Sequence, residues 1–442
     1  MAAISIAYVG GGSSRAAGTM ASLFSKGDAF DGSRVVLIDQ RADTLELVAT
    51  IARKIAARQG LDITVETSTD QRAGLTGVDA VLTSFRPGGF EMRLADEQIP
   101  MRHGVIGQET QGPGGMMMAF RSVAAMKTIL DDLDAVAPDA VIFNYTNPVN
   151  LVSQAITTHS DRTIWSMCEG PITFWPPILR TAGLDPDRAE VMMAGVNHNC
   201  WSTVHRYDGE DLIPRLAEGY AAVADDPTVD VWSKRLLHLA VAVGSVPSDY
   251  FRYYYFGEEA FREAQAGRLT RAGVLLEALP GYWQHYAEQA ASDDPQLDPT
   301  RSRGGIHELE LAIDVMSAYY NRTPGTDAPA RLPVNLPNAG PGRPAALPGF
   351  DDDTVVEVWC EVDGDGVRPV PQEPLPHAVR GITQTLAEYQ RLAADAAWDG
   401  TRADAVRALV SHPFVRNLHV AEELYDELAF ANRDYLPERL LR

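Results

Sequence analysis

The chain has 442 residues, 45% of them hydrophobic, and a formal net charge of -22; that length suits two or three domains or one two-lobed body. The acidity excludes nucleic acid as a partner, because a phosphate backbone needs a basic face, while a few local arginines still suffice for a small anion. Three cysteines make no disulfide framework and fit a reducing compartment, and with no charged leader and no apolar run of about 20 residues the expectation is a soluble cytoplasmic protein with no membrane partner.

In chain order, the apolar run 4–9 predicts a strand entering Gly10-Gly11-Gly12-Ser13-Ser14-Arg15, with a helix following through 19–24. Strand, glycine turn and helix open a dinucleotide-binding unit, in which glycines let the backbone approach a pyrophosphate and the helix start supplies donors. Gly10, Gly11, Gly12, Ser13, Ser14 and Arg15 are therefore the candidate cofactor contacts, with Arg15 standing where the fingerprint has its third glycine. The run 35–38 predicts a second strand ending at Asp39, where a carboxylate takes the ribose hydroxyls and favours NAD over NADP. A helix over 44–59 follows from apolar residues at helical spacing (Leu45, Leu47, Val48, Ile51, Ile55). The runs 63–65 and 80–83 read as further strands. Alternating strands and helices predict an α/β fold with a Rossmann-like, doubly wound parallel sheet. From 86 to 121, glycine is interleaved with charge, and a binding loop is expected there.

Three apolar runs, 141–143, 163–165 and 191–193, then lead into polar clusters: Asn144-Tyr145-Thr146-Asn147-Pro148, Cys168-Glu169-Gly170-Pro171 and Asn197-His198-Asn199-Cys200-Trp201. Ligands bind outside the carboxyl ends of strands in open α/β sheets, so the clusters are expected to converge on one crevice. Cys168 and His198 are placed to hold one divalent metal there, with Asn147 and Asn197 facing the same cavity. After Trp201 the strand–helix rhythm is lost. Tyr250, Tyr253, Tyr254 and Tyr255 crowd together; such clusters pack, and a tyrosine beside a metal and a cofactor is also a candidate base. Helices are predicted over 258–292 and 305–320, a Pro/Gly/Ala-rich connection over 323–348, a strand over 354–358, and a mostly amphipathic helical tail over 375–442. The expected boundary lies near residue 195, giving a cofactor domain over 1–195 and a mixed α+β domain over 196–442 that closes on it and carries any oligomer contact.

Taken together, these residues resemble glycoside hydrolase family 4, the NAD- and manganese-dependent glycosidases that depart from two-carboxylate glycoside hydrolysis. The resemblance spans nearly the whole chain. It is carried by Gly10-Gly11-Gly12-Ser13, Gly88-Gly89 to Arg93, Asp96-Glu97-Gln98-Ile99-Pro100, Gly107-Gln108-Glu109-Thr110, Thr146-Asn147-Pro148, Cys168 with Pro171, Asn197-His198 with Trp201, and Tyr250 with Tyr253-Tyr254. Later stretches (Thr270-Arg271, Arg303-Gly304-Gly305, Val334-Asn335 and Val355-Val356-Glu357-Val358) look most like the 6-phospho-β-glucosidase branch.

The resemblance implies a lactate/malate dehydrogenase-like architecture and a redox route. NAD takes hydride from the sugar C3, a base removes the acidified C2 proton, the aglycone leaves C1, water adds, and the hydride returns. It also implies manganese on Cys168 and His198, where ligand softness alone points to zinc or iron. By the same correspondence Tyr250 is the C2 base, Glu109 is placed with the catalytic residues, Arg93, Asn147, Asn197 and Glu109 orient sugar hydroxyls or metal ligands, and Ser13, Arg271 and Arg303 are the candidate donors to a 6-phosphate. A homodimer or homotetramer acting on a phosphorylated glycoside is the implied assembly. Two departures bear on specificity. Arg15 and Ala17 replace the residues usual after the glycine turn. Glu169 follows Cys168 where β-specific members commonly carry asparagine and α-specific ones aspartate; a carboxylate there is a candidate proton donor to an α-face leaving group. The same mechanism on an α-linked, sulfonated or uronic glycoside is thus an alternative. A malate-type dehydrogenase needs a histidine–aspartate relay and no metal thiolate, and a non-catalytic NAD sensor has no use for this thiol, imidazole and tyrosine set.

Overall fold

The computed structural model describes residues 2–267, 270–303, 310–340 and 342–442. The first half forms six strands, all from short apolar runs except the mostly polar edge strand β3: β1 Ser5–Val9, β2 Arg34–Ile38, β3 Thr64–Ser68, β4 Ala80–Thr83, β5 Val141–Asn144 and β6 Ile164–Ser166. They lie parallel in the order β3-β2-β1-β4-β5-β6, the doubly wound arrangement of dinucleotide-binding proteins. Side chains alternate between the two faces of each strand. Ile6 and Tyr8 of β1 thus join a core with Met20 and Val48, from the helices Ala16–Phe24 and Ala42–Gln59. Ala7 and Val9 join the other core, with Met117, Phe120 and Leu130 of the helix Gly112–Val136.

The second half adds antiparallel strands to the same sheet: β7 Ala189–Val196, β8 Asn199–Tyr207, β9 Glu210–Asp211, β10 Ala330–Pro337, β11 Val355–Asp363 and β12 Gly366–Pro369. Strand β10 joins the parallel half at one register point, Asn335 opposite Ser166, and β11 joins β7 at Glu357 opposite Gly195. The tail forms the helices His377–Trp398, Arg402–Ser411 and Leu418–Ala431. Tyr389, Leu409 and Leu424 from these three helices pack in the core beneath Ala7 and Val36, so residues from both ends of the chain share one apolar interior. Among the described residues, no helix is long and apolar enough to cross a membrane.

Several expected elements differ. The 86–121 stretch is not a loop but two helices, Gly89–Arg102 and Gly112–Val136, with a short connection. Its glycines serve close packing: a Cβ on Gly107 would lie 1.7 Å from the Glu97 carbonyl oxygen. The 323–348 connection contains the strand β10, despite Pro333 and Pro337. Proline is tolerated because β10 is laddered along β11 but meets β6 only at Asn335. The predicted helix over 258–292 is two, Gly257–Ala266 and Arg271–Ala291, and 268–269 lie outside the described residues. The predicted helix over 305–320 is described as Glu310–Asn321; 304–309, including Gly304 and Gly305 of the branch-like stretch, lie outside the described residues.

Candidate active site

Strands β7 and β8 form a hairpin in which Val196 pairs with Asn199, so Asn197 and His198 are its two turn residues. His198 adopts φ 66°, a left-handed conformation that costs a non-glycine residue about 1–2 kcal/mol. The surroundings hold it there. The Ser248 hydroxyl donates to the His198 carbonyl at 2.5 Å, and Asn199 Nδ2 donates to Gln111 Oε1 at 3.0 Å. Strain kept at a non-glycine turn residue points to function. The imidazole stacks on the Tyr250 ring, with centroids 4.0 Å apart and planes 5° apart. Its Nδ1 lies 3.0 Å from Thr110 Oγ1. Burial pushes the imidazole down to about 4, against the pull of Glu109, so it is neutral at physiological pH.

Cys168 follows β6, and its Sγ accepts the Gly170 N–H at 3.4 Å. Burial, with the Glu357 carboxylate adding to it, pushes the thiol up to about 12. Behind it runs a polar network on the seam between the two halves of the sheet. Glu357, 1% exposed, accepts from Asn197 Nδ2 at 2.9 Å, Asn335 Nδ2 at 2.8 Å and the Cys200 thiol at 3.0 Å. With its nitrogen held by Glu357, Asn197 keeps a buried Oδ1 without a hydrogen-bond partner. Glu169, next to Cys168, raises the Tyr145 phenol, after burial, as the neighbouring negative group.

In front of this lies a cavity of ≈ 860 Å³ whose wall includes Ser13, Arg15, Asn147, Tyr250 and Tyr253. Arg86 and Arg93 reach Glu109 Oε2 at 2.7 and 2.9 Å, as ion pairs without hydrogen-bond directionality. Burial alone would raise Glu109, but Arg86, Arg93, Arg303 and Arg15 outweigh it and hold the carboxyl at about 2. Glu109 is therefore a fixed anion rather than a proton carrier. Arg303, whose guanidinium lies 4.4 Å over the Phe90 ring, is pushed down to about 9 by burial and then by Arg15 and Arg86. Guanidinium groups crowded in this way are stabilised by an incoming anion. Arg271 is exposed on the cavity wall. Arg93 is also bound by Glu97 at 2.7 Å.

The glycine turn closes on the ends of β2 and β4. A Cβ on Gly10, at φ 99°, would sit 2.2 Å from the Ser84 carbonyl oxygen. Gly10 and Gly11 donate their amides to the Ile38 carbonyl, and Gly12 donates to Asp39 Oδ2 at 3.0 Å. These three glycines thus contribute proximity rather than free donors. Ser13 faces the cavity with a buried hydroxyl that has no hydrogen-bond partner, and Arg15 precedes the helix Ala16–Phe24.

The structure brings Ser13, Arg15, Arg93, Glu109, Asn147, Tyr250, Arg271 and Arg303 to one cavity. Cys168, Glu169, Asn197 and His198 are not in its wall; His198 lies directly behind Tyr250. Gly10, Gly11, Gly12, Ser14 and Asp39 lie apart from the wall, with the glycines bound to the β2 end. Sequence reasoning gave no role to Arg86, Thr110 or Glu357, although each falls inside a stretch it singled out. Only contacts between distant segments distinguish them from their neighbours.

The model described as "Family 4 glycosyl hydrolase" matches residues 5–181, and that described as "Family 4 glycosyl hydrolase C-terminal domain" matches residues 193–415. The chain is 30% identical over 447 residues to a protein of Bacillus subtilis (strain 168) named "Probable 6-phospho-beta-glucosidase", covering 98% of each. It is 27% identical over 454 residues to a 6-phospho-alpha-glucosidase of Leptotrichia buccalis, covering 99% of each. A 6-phospho-beta glucosidase from Thermotoga maritima, solved with manganese, NAD+ and glucose-6-phosphate, has the same fold, with TM-score 0.81, 23% identity and coverage of 98% of this chain and 99% of the other.

Proposed function

This chain belongs to family 4 of the glycosyl hydrolases, and on that premise we propose that it hydrolyses 6-phospho-β-glucosides with NAD and a divalent metal, manganese by family likeness. It is an O-glycosyl hydrolase by membership; the β-linkage, the phosphate, the redox route and the residue roles are our reading. We also assign cofactor binding to residues 1–195 and closure over the substrate to 196–442. The observation that carries the reading is the cavity itself. It sets six arginines, Arg15, Arg86, Arg93, Arg252, Arg271 and Arg303, against four carboxylates, Glu97, Glu109, Asp249 and Glu263, in the same space as Tyr250, and Asp249 is taken up by Arg252. A doubly charged phosphate suits such a wall better than a neutral sugar does.

The residues suit both groups. The unpartnered Ser13 hydroxyl and the Asp39 carboxylate at the end of β2 fit a dinucleotide. Among the described residues, no group of three or more His, Cys, Asp and Glu side chains is assembled for a metal. Cys168, His198 and the bare Asn197 Oδ1 would therefore enclose one only partly, which leaves positions for substrate oxygens, as catalytic metal sites require. When bound, NAD would supply the hydride acceptor and donor for C3, and the metal the positive charge that polarises the C3 oxygen. Tyr250 would take the C2 proton. Asn147 would orient hydroxyls, Glu109 would anchor Arg86 and Arg93, and Arg303 with Arg271 would bind the phosphate.

The test is a panel of p-nitrophenyl glycosides, α and β, with and without a 6-phosphate, assayed with NAD and manganese. Turnover of the 6-phospho-β-glucoside alone is the expected result. Preference for a 6-phospho-α-glucoside is the second reading, favoured by the Glu169 carboxylate beside Cys168, and would replace the first. Turnover should require NAD with no net NADH accumulation, because the hydride returns; NAD-stripped protein with full activity would remove the redox reading, and Asp39→Ala should weaken NAD binding.

Metal affinity should also depend on pH. The ligand form of cysteine is the thiolate, and burial keeps the Cys168 thiol protonated up to about 12. Binding must then release one proton, so affinity should climb about tenfold per pH unit between pH 6 and 9, the equivalent of about 1.36 kcal/mol per unit. His198, neutral above about 4, adds no slope there. Titration of free manganese by electron paramagnetic resonance at three pH values measures this; a flat profile would argue against thiolate ligation.

A further inference from the structure

The loop between the helices Gly89–Arg102 and Gly112–Val136 reaches the β7–β8 hairpin from the opposite side. Gln108 Oε1 receives two backbone donors, Thr110 N at 2.6 Å and Gln111 N at 2.8 Å. Those two N–H groups settle which end of the Gln108 amide is oxygen, since an NH₂ group facing them would repel both. Thr110 Oγ1 lies 3.0 Å from that same oxygen. An amide oxygen only accepts, so the hydroxyl donates its single hydrogen to Gln108. The hydroxyl's other neighbour is His198 Nδ1, also at 3.0 Å. With its hydrogen given to Gln108, Thr110 Oγ1 offers this nitrogen a lone pair, which favours the ring's proton on Nδ1. A neutral imidazole protonated on Nδ1 has a bare Nε2.

We propose that Thr110, aimed by Gln108, is a positioning residue that fixes His198 in the Nδ1–H tautomer and leaves Nε2 free as an electron-pair donor. The inference rests on the reading of His198 as a metal ligand for its purpose, but the tautomer stands on the hydrogen-bond chain alone. A further contact makes the loop a joint rather than a bystander. Gln111, next to Thr110, accepts from Asn199 Nδ2 and from the Tyr254 hydroxyl, so the loop holds the hairpin at Asn199 as well as at His198. Fixing tautomer and ring orientation is what outer partners of metal-binding histidines do.

The test uses the full chain labelled with 15N-histidine and freed of metal by chelator, with the His198 ring assigned by its loss in His198→Asn. Long-range 1H–15N correlation reads the tautomer, and electron paramagnetic resonance of free manganese reads affinity. Wild type should show protonated Nδ1 and unprotonated Nε2. Thr110→Val keeps the shape but loses the acceptor; it should lose this preference and weaken manganese binding about 10–100-fold. Thr110→Ser should restore both. A wild-type Nε2–H tautomer, or a Thr110→Val protein with unchanged tautomer and affinity, would overturn the proposal. If Thr110→Val does not fold, the wild-type spectrum and Thr110→Ala decide the same question. A wild type with the expected tautomer, lost in Thr110→Val, that binds no divalent metal would uphold Thr110 and remove the metal reading instead.

Discussion

Tyr250→Phe is expected to lower turnover about 10²–10⁴-fold, the usual cost of losing a general base, while leaving the fold and metal content nearly as they are. The substitution removes one hydroxyl and keeps the ring that stacks on His198 and meets Phe174 edge-on at 5.8 Å. The proposed redox route demands one base near C2, and the geometry narrows the choice among the clustered tyrosines. Tyr254 is turned away, its hydroxyl donated to Gln111, and Tyr255 packs on Trp201 and Phe251 and is not in the cavity wall. Tyr250 and Tyr253 are in it. Burial, with Glu109 and Cys168 adding to it, holds the Tyr250 phenol well above the ordinary phenol range. It is thus a base only with a compensating positive charge beside it, which is why its activity should fall together with metal loss. Substrate deuterated at C2 should exchange with solvent during wild-type turnover and far more slowly with the variant. Undiminished washout by Tyr250→Phe would move the base to Tyr253 or to a metal-bound hydroxide.

Much of this site was legible because its parts follow strands. The polar cluster after β5, Cys168 after β6 and the Asn197-His198 pair between β7 and β8 are each announced by an apolar run. The doubly wound half was legible for the same reason, since its strands, the polar edge strand β3 apart, are short, apolar and separated by helical spacing. Two things were not. Glycine among charges at 86–121 suggests a loop, but the glycines are there for contact between two helices, and composition carries no information about what a missing side chain makes room for. Strand β10 hides behind its prolines, because the β10–β6 pairing reduced to Asn335 is a property of the sheet and not of the segment. The same limit applies to Glu357. A glutamate in an apolar strand looks like one polar residue among many until Asn197 of the β7–β8 turn, Cys200 of β8 and Asn335 of β10 are seen donating to it.

Cys168→Ser and His198→Ala should each abolish turnover and lower metal affinity more than about 100-fold, beyond the cost of losing an outer partner. The two substitutions act differently. Serine keeps the size of Cys168 and can still accept the Gly170 N–H, but a hydroxyl does not ionise at neutral pH and replaces a soft donor with a hard one. Alanine at 198 removes the only imidazole at the hairpin turn and the stacking partner of Tyr250. It stays in the left-handed conformation that the hairpin imposes, so the strain is not relieved and stability should fall only by the lost contacts. Cys200→Ser is the control. That thiol is fully buried and donates to Glu357, and a serine hydroxyl donates to the same oxygen, so this variant should keep its metal. Metal content, NAD binding and circular dichroism on all three proteins separate loss of a ligand from loss of fold. Wild-type turnover and metal content in either Cys168→Ser or His198→Ala would show that the metal is held elsewhere, and equal metal loss in Cys200→Ser would show that the Glu357 network, rather than the Cys168 thiolate, is what the site depends on.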